Sequence, residues 1–333
     1  GFIYRFDAAS RKLSKIDIKI ADDNSFARPE WVDAAKRIFS YDLSPDGERV
    51  VFSARGDVFT LPSSKGITRN ITASAWAHDR SATWSPNGKY IAYLSDMSGE
   101  YEIYMQAQDG SDKPIQLTSG ADTYKYGIQW SPDSKKVLWT DRAGRLQYVD
   151  IDSRKVTLVE KGELGLIYSF DWSPDSKWIT FSANDENRVS VIYLYNVDTK
   201  VKHAVTNYWY SSSGPVFSND GKYLVFESDR DFDPIYSQTE WNHAYQAMSR
   251  LYMVLLSKDT PSPFALENNE VKVDEAKATA PQSKSDKKGK ADAPAAKPET
   301  AIVKIDVDGI ADRIIALPVD VAYYGNYACV DGK

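Results

Sequence analysis

The groups in this 333-residue chain that could do chemistry are three histidines, one cysteine and charged residues in short loops. A serine nucleophile needs a histidine held by an acid and facing the hydroxyl. The candidates are His78, His203 and His243. His203 falls in a strand-like stretch, His243 in an aromatic-rich excursion, and His78 in Ala77-His78-Asp79-Arg80, just ahead of a strand. No Gly-x-Ser-x-Gly elbow is present. Neither is a His-Glu-x-x-His pair, a Cys/His cluster, a Gly-x-Gly-x-x-Gly turn or a Walker-type phosphate loop. Asp306-Val307-Asp308-Gly309 opens like a calcium loop but lacks the spaced acidic ligands and terminal Glu, so a tight turn is expected there. Cys329, the single cysteine, can form neither an intrachain disulfide nor a cysteine zinc site. The sequence thus predicts no catalytic residue, no metal and no cofactor.

Composition narrows the classes further. The net charge of −6 is the wrong sign for a phosphate-tracking protein. No run of eighteen apolar residues suggests a membrane-spanning helix. Aromatic residues make up 13% of the chain, with 21 Tyr and 9 Trp, which suits pleated sheets.

The elements that must position any site come from an internal repeat. Turn sequences recur as Ser44-Pro45-Asp46-Gly47, Ser85-Pro86-Asn87-Gly88, Ser131-Pro132-Asp133-Ser134, Ser173-Pro174-Asp175-Ser176 and Ser218-Asn219-Asp220-Gly221. Their serines are 41, 46, 42 and 45 residues apart, the period of a four-stranded propeller blade. Pro presets φ for a type I turn, and Gly accepts the left-handed conformation that closes a bulged hairpin. Ser134 and Ser176 replace that Gly, so they either adopt a left-handed φ at some cost or change the turn.

A strand precedes each turn, four of them ending in Trp84, Trp130, Trp172 and Phe217. Second strands are expected at Arg49–Ser53, Tyr90–Ser95, Lys136–Thr140, Trp178–Ser182 and Tyr223–Ser228. Third strands follow at Asp57–Leu61, Glu102–Ala107, Arg145–Asp150, Val191–Val197 and Arg250–Leu256. Fourth strands are expected at Thr68–Thr72, Pro114–Thr118, Lys155–Val159, Lys202–Thr206 and Arg313–Pro318. The Trp-Ser-Pro motifs read as packing and turn devices, because a feature repeated in every unit serves the repeat. The fold class is therefore all-β, a propeller of four-stranded antiparallel blades.

Both ends depart from the five-unit pattern. Phe2–Asp7 and Lys12–Ile20 read as the last strands of a preceding propeller, and residues 21–37, with Arg28-Pro29 and Trp31, as a connector. Residues 38–333 read as five blades and the start of a sixth, with Tyr327–Lys333 its first strand. A chain that opens inside a strand and stops as abruptly is expected to be cut from a larger protein. The fifth unit is interrupted. Asp229–Ser249 is too long for a hairpin and reads as a surface excursion with a helical turn. Ala276–Thr300 has no Val, Ile, Leu, Met or aromatic residue, so a disordered insertion is expected across 267–300. The sheet is expected to resume at Ile302–Val307.

Loops entering the first strand of a blade lie near the mouth of a propeller's central channel. His78, Asp79 and Arg80 are candidate channel groups there, with Tyr41, Asp42, Tyr126 and Tyr168. Arg55, Asp57, Asp96, Glu100, Asp229 and Arg230 fall between second and third strands, where charge could select peptides electrostatically. Solvated loop charges and salt bridges within a blade are the competing reading.

The ordered series Ser44-Pro-Asp-Gly-Glu-Arg-Val-Val-Phe-Ser-Ala-Arg-Gly-Asp57, Ile91-Ala-Tyr-Leu-Ser-Asp-Met-Ser-Gly-Glu-Tyr-Glu-Ile-Tyr104, Thr260-Pro-Ser-Pro-Phe264, Asp306-Val-Asp-Gly-Ile310 and Tyr324-Gly-Asn326 resembles the propeller region of tricorn-type serine proteases. That resemblance runs through nearly the whole chain. It implies part of a seven-bladed propeller following a six-bladed one, with catalytic and PDZ-like domains beyond Lys333. It also implies peptide or oligopeptide substrates and a homo-oligomeric parent, while charge and hydropathy argue for no nucleic acid partner and no membrane insertion. The parent would be cytoplasmic, or periplasmic or exported as in bacterial relatives. The chain's role would be a channel or filter feeding a proteolytic chamber. Alternatives are a TolB-type scaffold that docks proteins, which requires Phe2–Ile20 to pair with Tyr327–Val330, and the gating propeller of a prolyl-oligopeptidase-like enzyme.

Overall fold

The computed structural model describes residues 3–19, 21, 32–74, 76–231, 235–236, 243–244, 248–265 and 302–330. The chain divides into two compact units, Gly1–Arg37 and Ile38–Lys333. In the first, β1 (Tyr4–Asp7) pairs antiparallel with β2 (Lys12–Lys15) as a two-stranded sheet. Asp7 closes the turn by accepting bonds from the Ser10 amide and hydroxyl at 2.7 and 2.6 Å, an Asx device. The strand expected to reach Ile20 stops at Lys15. Residues 22–31 of the connector lie outside the described residues, and Ala35–Arg37 forms a 3-10 turn.

Among the described residues the second unit holds five four-stranded antiparallel sheets in chain order. The first comprises β3 (Ile38–Leu43), β4 (Arg49–Ala54), β5 (Asp57–Pro62) and β6 (Arg69–Asn70). The second comprises β7 (Asp79–Trp84), β8 (Tyr90–Ser95), β9 (Glu102–Ala107) and β10 (Ile115–Gln116). The third comprises β11 (Lys125–Trp130), β12 (Lys136–Asp141), β13 (Arg145–Asp150) and β14 (Val156–Lys161). The fourth comprises β15 (Phe170–Trp172), β16 (Trp178–Asn184), β17 (Ser190–Asn196) and β18 (Lys202–Ala204). In the fifth, β19 (Ser212–Phe217) and β20 (Tyr223–Ser228) precede a small ladder, β21 (Ile235–Tyr236) with β22 (His243–Ala244), before β23 (Arg250–Leu255) and β24 (Ile314–Ala316) complete the sheet. A helical turn and a disordered insertion were expected within this sheet. Residues 232–234, 237–242, 245–247 and 266–300 lie outside the described residues.

Two expectations at the end of the chain are corrected. Ile302–Val307 forms no strand. Its Val303 amide donates to Asp175 Oδ2 at 3.1 Å, and Val303 sits where a Cβ on Gly221 would come within 2.8 Å of its Cγ2. The segment covers the fifth Ser-Asn-Asp-Gly turn, and β24 takes the sheet position instead. Of the strand expected at Tyr327–Lys333, Tyr327–Val330 makes one isolated parallel bridge, Cys329 to Ser218, and residues 331–333 lie outside the described residues.

Neighbouring sheets pack face to face. Val51 and Val58 of the first meet Trp84, Ile91 and Tyr93 of the second; Ile192, Leu194 and Val205 of the fourth meet Phe217, Leu224 and Phe226 of the fifth. Trp84, Trp130, Trp172 and Phe217 are each at most 5% exposed. Burying a large apolar side chain stabilises by about 1.5–3 kcal/mol, so this layered core supplies the main driving force.

The repeated turns share one hydrogen-bond pattern. In the first, Ser44 Oγ donates to Asp46 Oδ1 at 2.5 Å and accepts from the Arg49 amide at 2.9 Å. Ser134 and Ser176 keep the turn by adopting φ of 61° and 62°. Their hydroxyls accept from the Asn87 and Asp133 amides of the preceding turns, both at 3.0 Å. What looked like a poor glycine substitute is a strut between sheets.

Candidate functional site

Antiparallel order sends the Ser-Pro turns to one end of every sheet. The hairpins between second and third strands, and the connectors to the next sheet, lie at the other end. The sequence-derived candidates therefore share one face, and the structure brings part of the set together. Arg55 and Gly56 close the β4–β5 hairpin with φ of 56° and 91°. Gly56 is needed there: a Cβ would come within 3.2 Å of His78 Cδ2. The Asp79 amide donates to Gly56 O at 2.8 Å, fastening the connector onto the hairpin. Arg55 is exposed.

His78 is exposed, and its amide donates to Asp96 Oδ1 at 2.6 Å. Its Nδ1 lies 2.8 Å from the Tyr101 hydroxyl, with the two rings edge to face. The imidazole thus meets a phenol rather than a serine nucleophile. Asp79 and Arg80, expected on the rim, are interior, at 1% and 5% exposure. Ser74 Oγ donates to Asp79 Oδ2 at 2.6 Å, while Oδ1 has no partner. The nearby Tyr93 hydroxyl is pushed up, first by burial and then by this carboxylate.

Arg80 lies between two rings, 4.3 Å from the Tyr101 centroid and 4.1 Å from that of Tyr124. One guanidinium nitrogen donates to Lys125 O at 2.5 Å. A bulge between Arg80 and Thr83, with Ser81 at φ 54°, interrupts the β7–β8 register beside it. Lys125 forms a buried ion pair with Glu102 at 3.0 Å and donates to Tyr101 O at 2.8 Å. Glu102 also accepts from Thr118 Oγ1 and the Ala121 amide. The Lys125–Glu102 pair is thus hydrogen-bonded at both ends, the condition under which a buried pair holds, whereas Arg80 Nε, like Asp79 Oδ1, has no partner. Burial raises the Tyr101 hydroxyl, and Arg80 beside it opposes that rise.

The other candidates stand apart. Asp57 is half-buried, 3.5 Å from Thr72 Oγ1, whose oxygen accepts the Val58 amide at 3.1 Å. Asp229 and Arg230 belong to the fifth sheet. Ser249 Oγ donates to Asp229 at 2.5 Å; Arg230 lies 5.5 Å from the Tyr252 ring and donates to Ser228 Oγ. Burial lowers the Arg230 guanidinium. The Tyr252 hydroxyl donates to Asp231 and is pushed up to about 12 by burial and that bond.

A second set lies on the innermost strands; of it, sequence reasoning named Asp42 as a channel group but missed Thr83, Gln129 and Asp171. Asp42 Oδ2 accepts from Thr83 Oγ1 at 2.7 Å and from the Trp84 amide at 2.8 Å. Asp171 accepts from Gln129 Nε2 and the Phe217 amide, both at 3.0 Å. Each carboxylate caps a free edge amide of the next sheet, and burial raises the Asp171 carboxyl. The signal was available: Asp42, Thr83, Gln129 and Asp171 each stand two residues before a turn serine. Among the described residues no group of three or more His, Cys, Asp or Glu could hold a metal ion. No described helix is long and apolar enough to cross a membrane.

Repeated sheets joined through their first strands, with ionic groups clamped between neighbours, define a β-propeller of four-stranded blades. The chain belongs to the family described as the Tricorn protease second beta propeller domain, which matches residues 38–333. It is 27% identical over 324 residues to a tricorn protease homolog of Saccharolobus solfataricus, covering 97% of this chain and 27% of that protein. Tricorn protease homolog 1 of Streptomyces coelicolor is 25% identical over 324 residues, covering 96% of this chain and 29% of that protein. A crystal structure of the tricorn protease superposes with a TM-score of 0.71 at 17% identity, over 99% of this chain and 30% of that one. This chain thus spans about a third or less of the length of these relatives.

Proposed function

We propose that this chain is the non-catalytic propeller portion of a tricorn-like serine peptidase, acting as a channel or filter that passes oligopeptides to a chamber formed by other parts of the parent. The observation that carries this reading is the family match across residues 38–333. Two structural features support it. His78, on the connector face, is engaged by Tyr101 and Asp96 in an arrangement without a nucleophile. The exposed Arg55 and His78 stand on that face, where charge can bias which peptides approach. On this reading the partners are extended peptides and the catalytic and PDZ-like domains of one homo-oligomeric parent. A propeller channel excludes folded chains by size, so selectivity needs no chemistry of its own.

The test compares hydrolysis of fluorogenic peptides by this 333-residue chain and by the full parent. Activity is expected only in the parent. Turnover by the 333-residue chain alone overturns the division of labour.

A further inference from the structure

The outermost strands of the blades differ in length. β6 and β10 have two residues each, and β18 and β24 have three. β14 has six, Val156–Lys161. A short outer strand is a common defence against unwanted pairing, because an open edge offers unsatisfied N–H and C=O groups to any extended chain. Blade three lacks that defence.

The register shows which groups are on offer. The Asp150 amide donates to Lys155 O at 3.1 Å, which makes that pair hydrogen-bonded. Val149↔Val156, Tyr148↔Thr157 and Gln147↔Leu158 follow in order. Antiparallel pairs alternate, so Thr157 directs its backbone groups to β13, whereas Val156 and Leu158 direct theirs to the open edge. The side chains of these two residues are 40% and 50% exposed.

A groove of about 480 Å³ runs beside this edge, lined in part by Leu158, Glu160, Glu163, Leu164, Glu186 and Lys202. Its charges are unequal. Glu160 is paired with Lys202, whose ammonium stands 4.7 Å from the Tyr193 ring. Glu163 and Glu186 have no ionic or hydrogen-bonding partner among the described residues. Leu164 adds apolar surface at 44% exposure. The groove thus combines strand-pairing groups, apolar side chains and two free carboxylates.

We propose that the β14 edge and its groove dock an extended, basic segment of another polypeptide, which adds to blade three as a fifth strand. Main-chain hydrogen bonds to Val156 and Leu158 would hold it, alternate apolar side chains would rest on Leu158 and Leu164, and Lys or Arg side chains would meet Glu163 and Glu186. The site is separate from the connector-face cluster and does not depend on the peptidase reading.

The test uses fluorescein-labelled decapeptides and fluorescence anisotropy with the 333-residue chain. The probes are alternating Val-Lys, alternating Val-Glu, and the Val-Lys peptide with every backbone amide N-methylated. Val-Lys is expected to bind, more weakly at high salt, with N-methylation weakening it on the order of tenfold. Leu158→Pro removes an N–H that lies outside the ladder, so the blade is expected to keep its melting temperature while binding falls by a similar factor. Glu163→Gln with Glu186→Gln is expected to weaken binding severalfold. Equal binding of the N-methylated peptide to the unaltered chain overturns the proposal, as does equal binding of Val-Glu. Self-association of the chain through this edge, blocked by Leu158→Pro, would make a second copy the occupant and overturn it too.

Discussion

Arg80 tests whether the buried part of the connector-face cluster is a clamp between blades. The guanidinium contacts Tyr101 and Tyr124 at 4.3 and 4.1 Å and donates to Lys125 O at 2.5 Å. A desolvated cation–π contact is worth about 1–2 kcal/mol, and a charged hydrogen bond about 1.5–3 kcal/mol. Against their sum stands the desolvation of a buried cation, recovered when the charge is removed. Arg80→Met keeps the stem, loses the charge and is expected to destabilise by about 2 kcal/mol. Arg80→Lys is expected to be worse, by about 1 kcal/mol, because an ammonium keeps the burial penalty but cannot lie flat between two rings. Melting temperature would fall by about 4–8 °C for the Met variant and further for Lys. The assay is thermal and urea unfolding followed by tyrosine fluorescence. A Lys variant as stable as the unaltered chain, or a Met variant within about 0.5 kcal/mol of it, would refute the clamp.

Other expectations follow from single contacts. The raised folded-state Asp171 carboxyl holds its proton to higher pH than in the unfolded chain, so its contribution to stability falls as pH rises from the ordinary carboxylate range through that raised value. Asp171→Asn should remove this dependence in urea titrations across acidic pH without loss at neutral pH, since Gln129 Oε1 has no partner and can accept from the new amide; a large loss at neutral pH would contradict this. Tyr252 and Tyr327, both at about 12, ionise first in the unfolded chain, so stability should fall between pH about 10 and 12, and less steeply in Tyr327→Phe, as read by alkaline unfolding. Gly221→Ala combines φ of +69° with a 2.8 Å approach to Val303 and should cost about 1–3 kcal/mol, part of which Val303→Ala restores in a double-mutant cycle. Arg55→Glu should leave stability within about 0.5 kcal/mol and shift the parent's hydrolysis rates away from acidic peptides; unchanged selectivity would remove Arg55 from the filter.

The fold was legible because its signals are local and repeated. Ser, Pro and Gly within four residues determine a turn, and the turn's recurrence determines the blade. The partners across blades were not legible in the same way. Ser134 looked like a penalty because the amide it serves, on Asn87, is 47 residues away in sequence. Asp42 and Asp171 share a spacing that could have been noticed, yet spacing alone does not tell whether a carboxylate faces solvent or an edge amide. Arg80 was placed on the rim because it follows His78, and the bulge that starts at Arg80 is invisible to a period-two reading. Ile302–Val307 has a strand's composition, but Val303 is taken up in covering the glycine turn of the fifth blade.

These long-range bonds bear on where selectivity can reside. Asp42, Asp79, Arg80, Lys125, Glu102 and Asp171 are all committed to protein partners, and most of them join one blade to the next. Repurposing any of them for a passing peptide would break a joint and leave a buried polar group unsatisfied, at about 1–3 kcal/mol. A filter that must admit many sequences needs contacts that form and release without such a penalty. On the connector face those are exposed groups: Arg55, His78, and the side chains of Trp76, Tyr168 and Trp209, which are 72–76% exposed for the three aromatics. If the propeller acts as the proposed filter, the buried charges set the stiffness of its wall, and the exposed cation and aromatics are the positions at which substitution would change what passes without loosening the blades.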